Sequence, residues 1–202
     1  MTLENGYDML FFGTGDREHP KDITKIDRLY TIKDKNSGTP LKESELYDAT
    51  EDLLQTGDAT QKATEMNKLN GSEGWYIKLN QNLGEKCLAN TVIFFKVLYY
   101  STFQPTFGEP GDPCFLGEGI ARIYALNYKT GNAVFNLDGE GTLSELTRDD
   151  RSSDIGVSIP SGVIVTFVGG MTVAYGGVGG GVYRPPIPAT RVLFPVNWKT
   201  VF

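Results

Sequence analysis

Glycine recurs along this chain at the ends of short apolar and aromatic runs, and that spacing limits the fold more than any other feature. The 202 residues include 24 glycines and 10 prolines, and between such breaks there is room for strands of roughly five or six residues but seldom for helices of ordinary length. The runs are rich in Phe and Tyr, 11 and 10 respectively, whose flat side chains pack well on a pleated, half-buried surface. An all-β fold is the expectation.

Three units follow one another. In the first, Asp8–Gly13 reads as a buried strand ending in the turn Gly13-Thr14-Gly15-Asp16, and Arg28–Lys33 alternates polar and apolar as a strand with one wet face. The second holds Gly74–Leu79, a hairpin about Phe95-Lys96 joining Thr91–Phe95 to Val97–Phe103, an alternating strand at Ala121–Tyr128, the turn Lys129-Thr130-Gly131-Asn132 and a closing strand at Ala133–Leu137. Arg28-Leu-Tyr-Thr-Ile and Arg122-Ile-Tyr-Ala-Leu form a faint internal repeat at matching places. The third runs through Ile155–Ile159, Gly162–Val168 and Met171–Tyr175, then the glycine run 176–181 and two closing strands at Arg191–Val196 and Trp198–Phe202. Repeated small sheets predict a partial β-propeller of about three four-stranded blades, with a two-sheet sandwich as the competing architecture. Residues 40–72 form a polar, partly helical insertion: Leu46, Ala49, Leu53 and Leu54 fall at helical spacing, and a second helix is expected over Gln61–Leu69, capped at Thr60 and ended by Asn70-Gly71.

Charge and composition narrow the partners. A net charge of −6 repels phosphate backbones, and no Lys/Arg stripe offsets it, so nucleic acid is not an expected partner. No apolar run approaches the roughly 20 residues of a membrane-spanning helix. The first residues lack the basic and apolar regions of a signal peptide, so an export signal is expected on a longer parent chain.

Reactive groups are sparse. Gly13-x-Gly15 lacks the third glycine of a dinucleotide loop and meets Pro20 where a helix should start, so it reads as a strand-end turn. The glycine run has no Lys-Ser/Thr for phosphate and magnesium and reads as turns or close backbone packing. Asp138, Glu140, Thr142 and Asp149 set oxygen donors along a loop in the manner of a calcium site, yet Leu143 stands where the sharp turn needs glycine and Leu146 offers no ligand. An acidic solvated loop is the plainer reading, as it is for Asp149, Asp150 and Asp154. No cofactor is expected here, with calcium at those four residues as the exception to test. The sole histidine, His19, sits between Glu18 and Pro20, a poor setting for nucleophilic catalysis. Trp75 and Trp198 read as packing aromatics. With one histidine a His-rich zinc site is excluded, which makes Cys87 and Cys114 a disulfide candidate, the alternative being two unrelated buried thiols.

Several stretches taken in order resemble the carboxyl-terminal domain of the PilY family of type IV pilus tip and assembly proteins. They are Leu10–Glu18 (Leu-Phe-Phe-Gly-Thr-Gly-Asp-Arg-Glu), Gly74–Leu79, Tyr99–Phe103 with Pro105 and on to Asp112-Pro-Cys114, Ile123–Gly131 (Ile-Tyr-Ala-Leu-Asn-Tyr-Lys-Thr-Gly), and the glycine-rich tail ending Pro195-Val-Asn-Trp198. The resemblance spans nearly the whole chain. It implies a quinoprotein-like propeller outside the cell, at the pilus tip, acting without catalysis in pilus biogenesis, adhesion and twitching motility. Its partners would be pilin or minor pilins, the rest of its own chain, and host or abiotic surfaces. Family members are longer, so residues 1–202 are expected to be a terminal fragment whose open edges pair with missing blades or with a second copy. The family's calcium loop, D-x-D-x-N-x-x-x-D, has no counterpart in these residues, and the amino-terminal adhesive module is not expected among them. Two other classes are weighed against this one. A quinone-dependent dehydrogenase would share the fold but needs a cage of convergent polar groups, while a carbohydrate-binding surface protein would use exposed Tyr and Trp.

In an oxidising compartment a Cys87–Cys114 bridge would staple the loop 104–119 to its neighbours and stabilise the fold by about 3–4 kcal/mol. Intact mass of the natively exported protein before and after thiol labelling checks this: no added label is expected, and two alkylated thiols would exclude the bridge.

Overall fold

The computed structural model describes residues 2–4, 6–107, 117–168 and 171–188. The first sheet contains β1 (Thr2–Glu4), β2 (Tyr7–Gly13), β3 (Arg28–Asp34), the two-residue β4 (Tyr47–Asp48) and β5 (Gly74–Lys78), in the order β1-β2-β3-β5-β4. All its pairs are antiparallel except β4 with β5. β3 and β5 are neighbours although the insertion lies between them, and the Lys33 N–H donates to the Glu73 carbonyl at 2.8 Å to close its base. At the start of β5, Gly74 has φ +138, and a Cβ there would lie 2.0 Å from the Thr31 carbonyl oxygen, so only glycine lets β5 approach β3.

The insertion carries a 3₁₀ turn at Glu43–Glu45, a single helical turn α1 (Leu53–Thr56) and the longer α2 (Ala59–Asn70). The cap of α2 is Asp58 rather than Thr60. Its carboxylate accepts from the Gln61 N–H at 2.8 Å while Gln61 Oε1 accepts from the Asp58 N–H at 2.9 Å, a reciprocal capping box. The helical spacing of Leu46–Leu54 yields only α1, because Tyr47-Asp48 extends alongside β5 and Asp52 takes a left-handed φ of 58 just before Leu53.

The second sheet contains β6 (Lys86–Cys87), β7 (Val92–Phe94), β8 (Val97–Gln104), β9 (Ile120–Asn127) and β10 (Ser152–Val157), ordered β10-β9-β8-β6 with β7 also on β8. The expected hairpin is present: Phe95 and Lys96 have φ 45 and 68, the mirror-image turn that matches strand twist. The third sheet is β11 (Ile164–Val168), β12 (Met171–Val178) and β13 (Gly181–Tyr183), with Gly179-Gly180 forming the last hairpin turn.

Strand membership departs from the sequence units. Gly74–Lys78 belongs to the first sheet, β10 pairs with β9 in the second sheet, and Ala133–Leu137 contributes only a bridge from Ala133 to Leu126. Proximity along the chain suggested the other groupings, but the insertion loops out of the first sheet and the 134–151 stretch returns the chain to the free side of β9. Residues 191–202, expected as closing strands, lie outside the described residues.

The sheets stack as three layers with the second in the middle. Leu98 and Tyr100 of β8 and Tyr124 and Leu126 of β9 join Leu29, Trp75 and Ile77 of the first sheet in one core. The alternate residues Val97, Tyr99, Ile123 and Ala125 join Val163 and Ala174 beside the third sheet in another. Trp75 is wholly buried and its Nε1 donates to the Tyr128 carbonyl at 3.1 Å, tying the first two layers together.

Several charged side chains in turn-rich stretches are buried here. Glu85, in the turn before β6, accepts from the Thr102 and Tyr124 hydroxyls, from Asn82 at 2.7 Å and from Arg122 at 3.4 Å. Lys86 is buried and donates to the Asp22 carbonyl at 2.6 Å. Asp150, expected at the surface, is buried and accepts from the Thr147 N–H, and Arg151 reaches under the insertion to Asp52 at 2.6 Å and to the Ala49 carbonyl at 2.9 Å. Such pairs bring loops of distant sequence together, because leaving either charge alone would be worse.

Burial raises the Asp52 carboxyl to about 6 against the opposing pull of Arg151. The unfolded carboxyl titrates near 4, so between about 4 and 6 the native state holds the extra proton, and this group's contribution is complete below pH 4 and lost as pH rises through 6. Asp52→Asn is neutral at every pH and tolerates the left-handed backbone. In urea melts from pH 4 to pH 7, wild-type stability should therefore fall relative to this variant by on the order of 2–3 kcal/mol; parallel curves would refute the assignment.

Candidate interaction surface

Residues directly opposed in an antiparallel pair share a face, and the register of the third sheet sorts its side chains accordingly. Val165 with Ala174 and Gly176 with Tyr183 point toward the second sheet, and Val165, Ala174 and Tyr183 belong to its core. Ile164 with Tyr175, Thr166 with Val173, Val168 with Met171, and Gly177 with Val182 point the other way. On that outer face Ile164 is 68% exposed, Val168 54%, Met171 70% and Val182 72%. A largely apolar sheet face in water is unfavourable unless something covers it.

The outer face of the first sheet is furnished differently. Phe12, Tyr30 and Tyr76 lie opposite one another across β2, β3 and β5, with Phe12 stacked on Tyr30 at 5.1 Å. The Tyr30 hydroxyl donates to Glu43 and the Tyr76 hydroxyl to Asp48, while Lys78 pairs with Asp48 at 2.8 Å. The aromatic faces are turned on each other and the rim is charged, as suits a solvated sheet. On the third sheet's outer face the cation that approaches is Arg184, stacked 5.3 Å from the Tyr175 ring centre. Moreover, β11 pairs with β12 alone among the described residues, leaving its far edge open.

The residues singled out from sequence lie elsewhere. Asp138 and Asp149 line one polar cleft of about 350 Å³, together with Arg122, Asp154 and Asn82. Glu140 and Thr142 do not line it. Asp138 Oδ1 accepts from the Glu140 N–H at 2.9 Å in a local turn, Asp149 accepts from Gln81 at 2.9 Å, and the Thr142 hydroxyl pairs with Ser144. Among the described residues no group of three or more His, Cys, Asp or Glu side chains is disposed to hold a metal. His19 is exposed and bonds to Asp16 at 2.9 Å. Cys87 is buried beside Gly13, where a Cβ would lie 2.5 Å from its Sγ, and burial raises the thiol to about 11. Its proposed partner Cys114 lies outside the described residues, as does Trp198.

Sequence reading missed the outer face of the third sheet, although a signal was present. Ile164-Val-Thr-Phe-Val168 and Met171-Thr-Val-Ala-Tyr175 do not alternate polar with apolar, and a near-continuous apolar run is the pattern of a strand covered on both sides. Among the described residues no helix is long and apolar enough to cross a membrane. No family model matches the chain, and no match emerged from comparison with curated proteins or with solved structures.

Ile164→Lys combined with Val182→Lys places two charges on this face while leaving the inner core untouched, so folded stability should change by no more than about 0.5 kcal/mol per site. Wild-type protein is expected to self-associate with rising concentration in sedimentation velocity and the double variant to remain monomeric. Equal monomeric behaviour at all concentrations would remove the case for a sticky face.

Proposed function

We propose that this chain is a non-catalytic interaction module of a type IV pilus tip or biogenesis protein, and that it acts in pilus assembly, adhesion and twitching motility by binding pilin or minor-pilin subunits. The observation that carries an interaction role is the apolar outer face of β11–β13. Its side chains match in kind those that fill the two inner cores, and among the described residues its β11 edge is unpaired. Among the described residues, aliphatic side chains beside the Tyr175 ring with Arg184 stacked on it are the composition of a protein-binding patch.

Support for a propeller comes from the layering. Antiparallel meanders follow one another in the chain, β1-β2-β3-β5 and then β7-β8-β9-β10, and they pack face to face, as blades around an axis do. On this reading the third meander is a blade whose outward side awaits the next layer. The pilus assignment itself rests on the ordered resemblance of Leu10–Glu18, Gly74–Leu79, Tyr99–Phe103 and Ile123–Gly131.

Binding of purified pilin and minor-pilin subunits to the wild type and to the Ile164→Lys/Val182→Lys variant tests both parts. The expected result is saturable binding to the wild type, weakened at least tenfold in the variant, about 1.4 kcal/mol or more. Failure of every pilus subunit to bind would defeat the pilus reading, and binding unaffected by the substitutions would defeat the choice of face.

A further inference from the structure

Charge on the outer face of the third sheet runs opposite to that of the chain as a whole. Acidic residues outnumber basic ones, 25 to 19, yet none of the side chains that the β11–β12 and β12–β13 registers turn outward is acidic. The cation at this face is Arg184, just past β13. Tyr183 pairs with Gly176, so Arg184 falls level with Tyr175, which in turn pairs with Ile164. Ile164, Tyr175 and Arg184 thus make one row across the sheet, with Val182 two positions before Arg184.

Arg184 is exposed, and its guanidinium lies 5.3 Å from the Tyr175 ring centre. Arg122, Arg148 and Arg151 are each paired with a carboxylate, whereas among the described residues the contact made by Arg184 is this aromatic ring. A planar cation resting on a ring keeps its position and leaves its N–H edge open to a bidentate acceptor. Any layer that covers Ile164, Tyr175 and Val182 also covers Arg184, because it stands in their row. Taking water from a guanidinium is costly unless an anion replaces that water. A wholly apolar partner would gain at the aliphatic side chains and lose at Arg184. A second copy meeting this face with its own would bring another arginine and no carboxylate, so self-association here stays weak. An anionic membrane would supply phosphates, but one arginine adds little attraction at a lipid surface and a net charge of −6 opposes it.

We infer that the partner of this face is a protein segment that sets an Asp or Glu among apolar side chains. The apolar side chains cover Ile164, Val168, Met171 and Val182, and the carboxylate pairs through two oxygens with the Arg184 guanidinium. Apolar contact supplies the area, and the arginine discriminates against segments that lack the acid, since covering it without one leaves a bare charge. The inference rests on the reading of this face as a protein-binding surface and not on the partner being a pilus subunit.

Selection of a random peptide library on the immobilised full chain, with counter-selection on Ile164→Lys/Val182→Lys, isolates ligands of this face whatever its natural partner. The enriched sequences are expected to carry Asp or Glu among apolar residues. A synthetic peptide of their consensus should shift the Met171 methyl signal of methionine-labelled protein and leave that of Met9, in the first core, in place. Arg184→Gln, at an exposed position, should weaken this peptide at least tenfold with an unchanged melting temperature. Replacing the acid of the peptide by its amide should do the same, and combining the two changes should cost no more than either alone. The inference is overturned if no face-dependent peptide emerges, if the consensus lacks an acid, if Arg184→Gln binds the peptide as the wild type does, or if the chain instead binds phosphatidylglycerol vesicles through Arg184. Failure of purified pilin subunits to bind, with the peptide results as expected, would remove the pilus reading alone.

Discussion

Burial of the middle sheet on both faces is the constraint on which the rest of this structure depends. β8 is buried from Val97 to Phe103, and its successive side chains enter two different cores. Each face is useless without a covering layer, so the first and third sheets are held in place by what β8 and β9 require of them. The backbone of these strands is satisfied within the sheet, and large aromatic residues, Tyr99, Tyr100 and Tyr124, fill the space between layers while each hydroxyl finds an acceptor or partner: Pro186, Tyr30 and Glu85 respectively. Aromatic bodies with polar tips allow wide layers to be joined without stranding polar groups.

Charge does the complementary work at the layer margins. The Glu85 cluster joins the turn before β6 to β8 and β9, and the Arg151–Asp52 pair joins the stretch before β10 to the insertion. Buried ion pairs are weak sources of net stability but strict about geometry, because a misplaced partner leaves a bare charge in a dry site. They suit places where glycine-rich loops would otherwise leave the approach of one sheet to another loosely defined. The same principle sets the two outer surfaces apart. The first sheet spends its aromatic faces on one another and rims them with Glu43, Asp48 and Lys78, whereas the outer face of the third sheet presents Ile164, Val168, Met171 and Val182 to solvent, with Arg184 beside Tyr175.

Much of the fold was legible in sequence. The strands at Tyr7–Gly13, Arg28–Asp34, Gly74–Lys78 and Val97–Gln104 were visible as apolar runs cut by glycine, as was the Phe95-Lys96 hairpin, because those signals are local. The partnership of β3 with β5 was not, since it spans the whole insertion and depends on Gly74 admitting Thr31 at close range. Nor was the burial of Glu85, Lys86, Asp150 and Arg151: in sequence these stand in polar, turn-rich stretches like any exposed charge, and their partners are far along the chain. Of the candidate surface, the unbroken apolar run at Ile164–Val168 was on view, but which side it turns outward follows only from its register with β12.

The amino acids alone determined that this chain forms short antiparallel strands with one modest helical excursion, because glycine spacing, aromatic content and capping residues act over a few positions. Tertiary structure decided how those strands group into layers, which charges are buried, that a helix of the insertion packs Leu69 into the first core, and that one sheet turns Ile164, Val168, Met171 and Val182 outward. These are consequences of contacts between residues distant in sequence, where the free energy of covering a surface or pairing a charge is settled by what the fold brings opposite it.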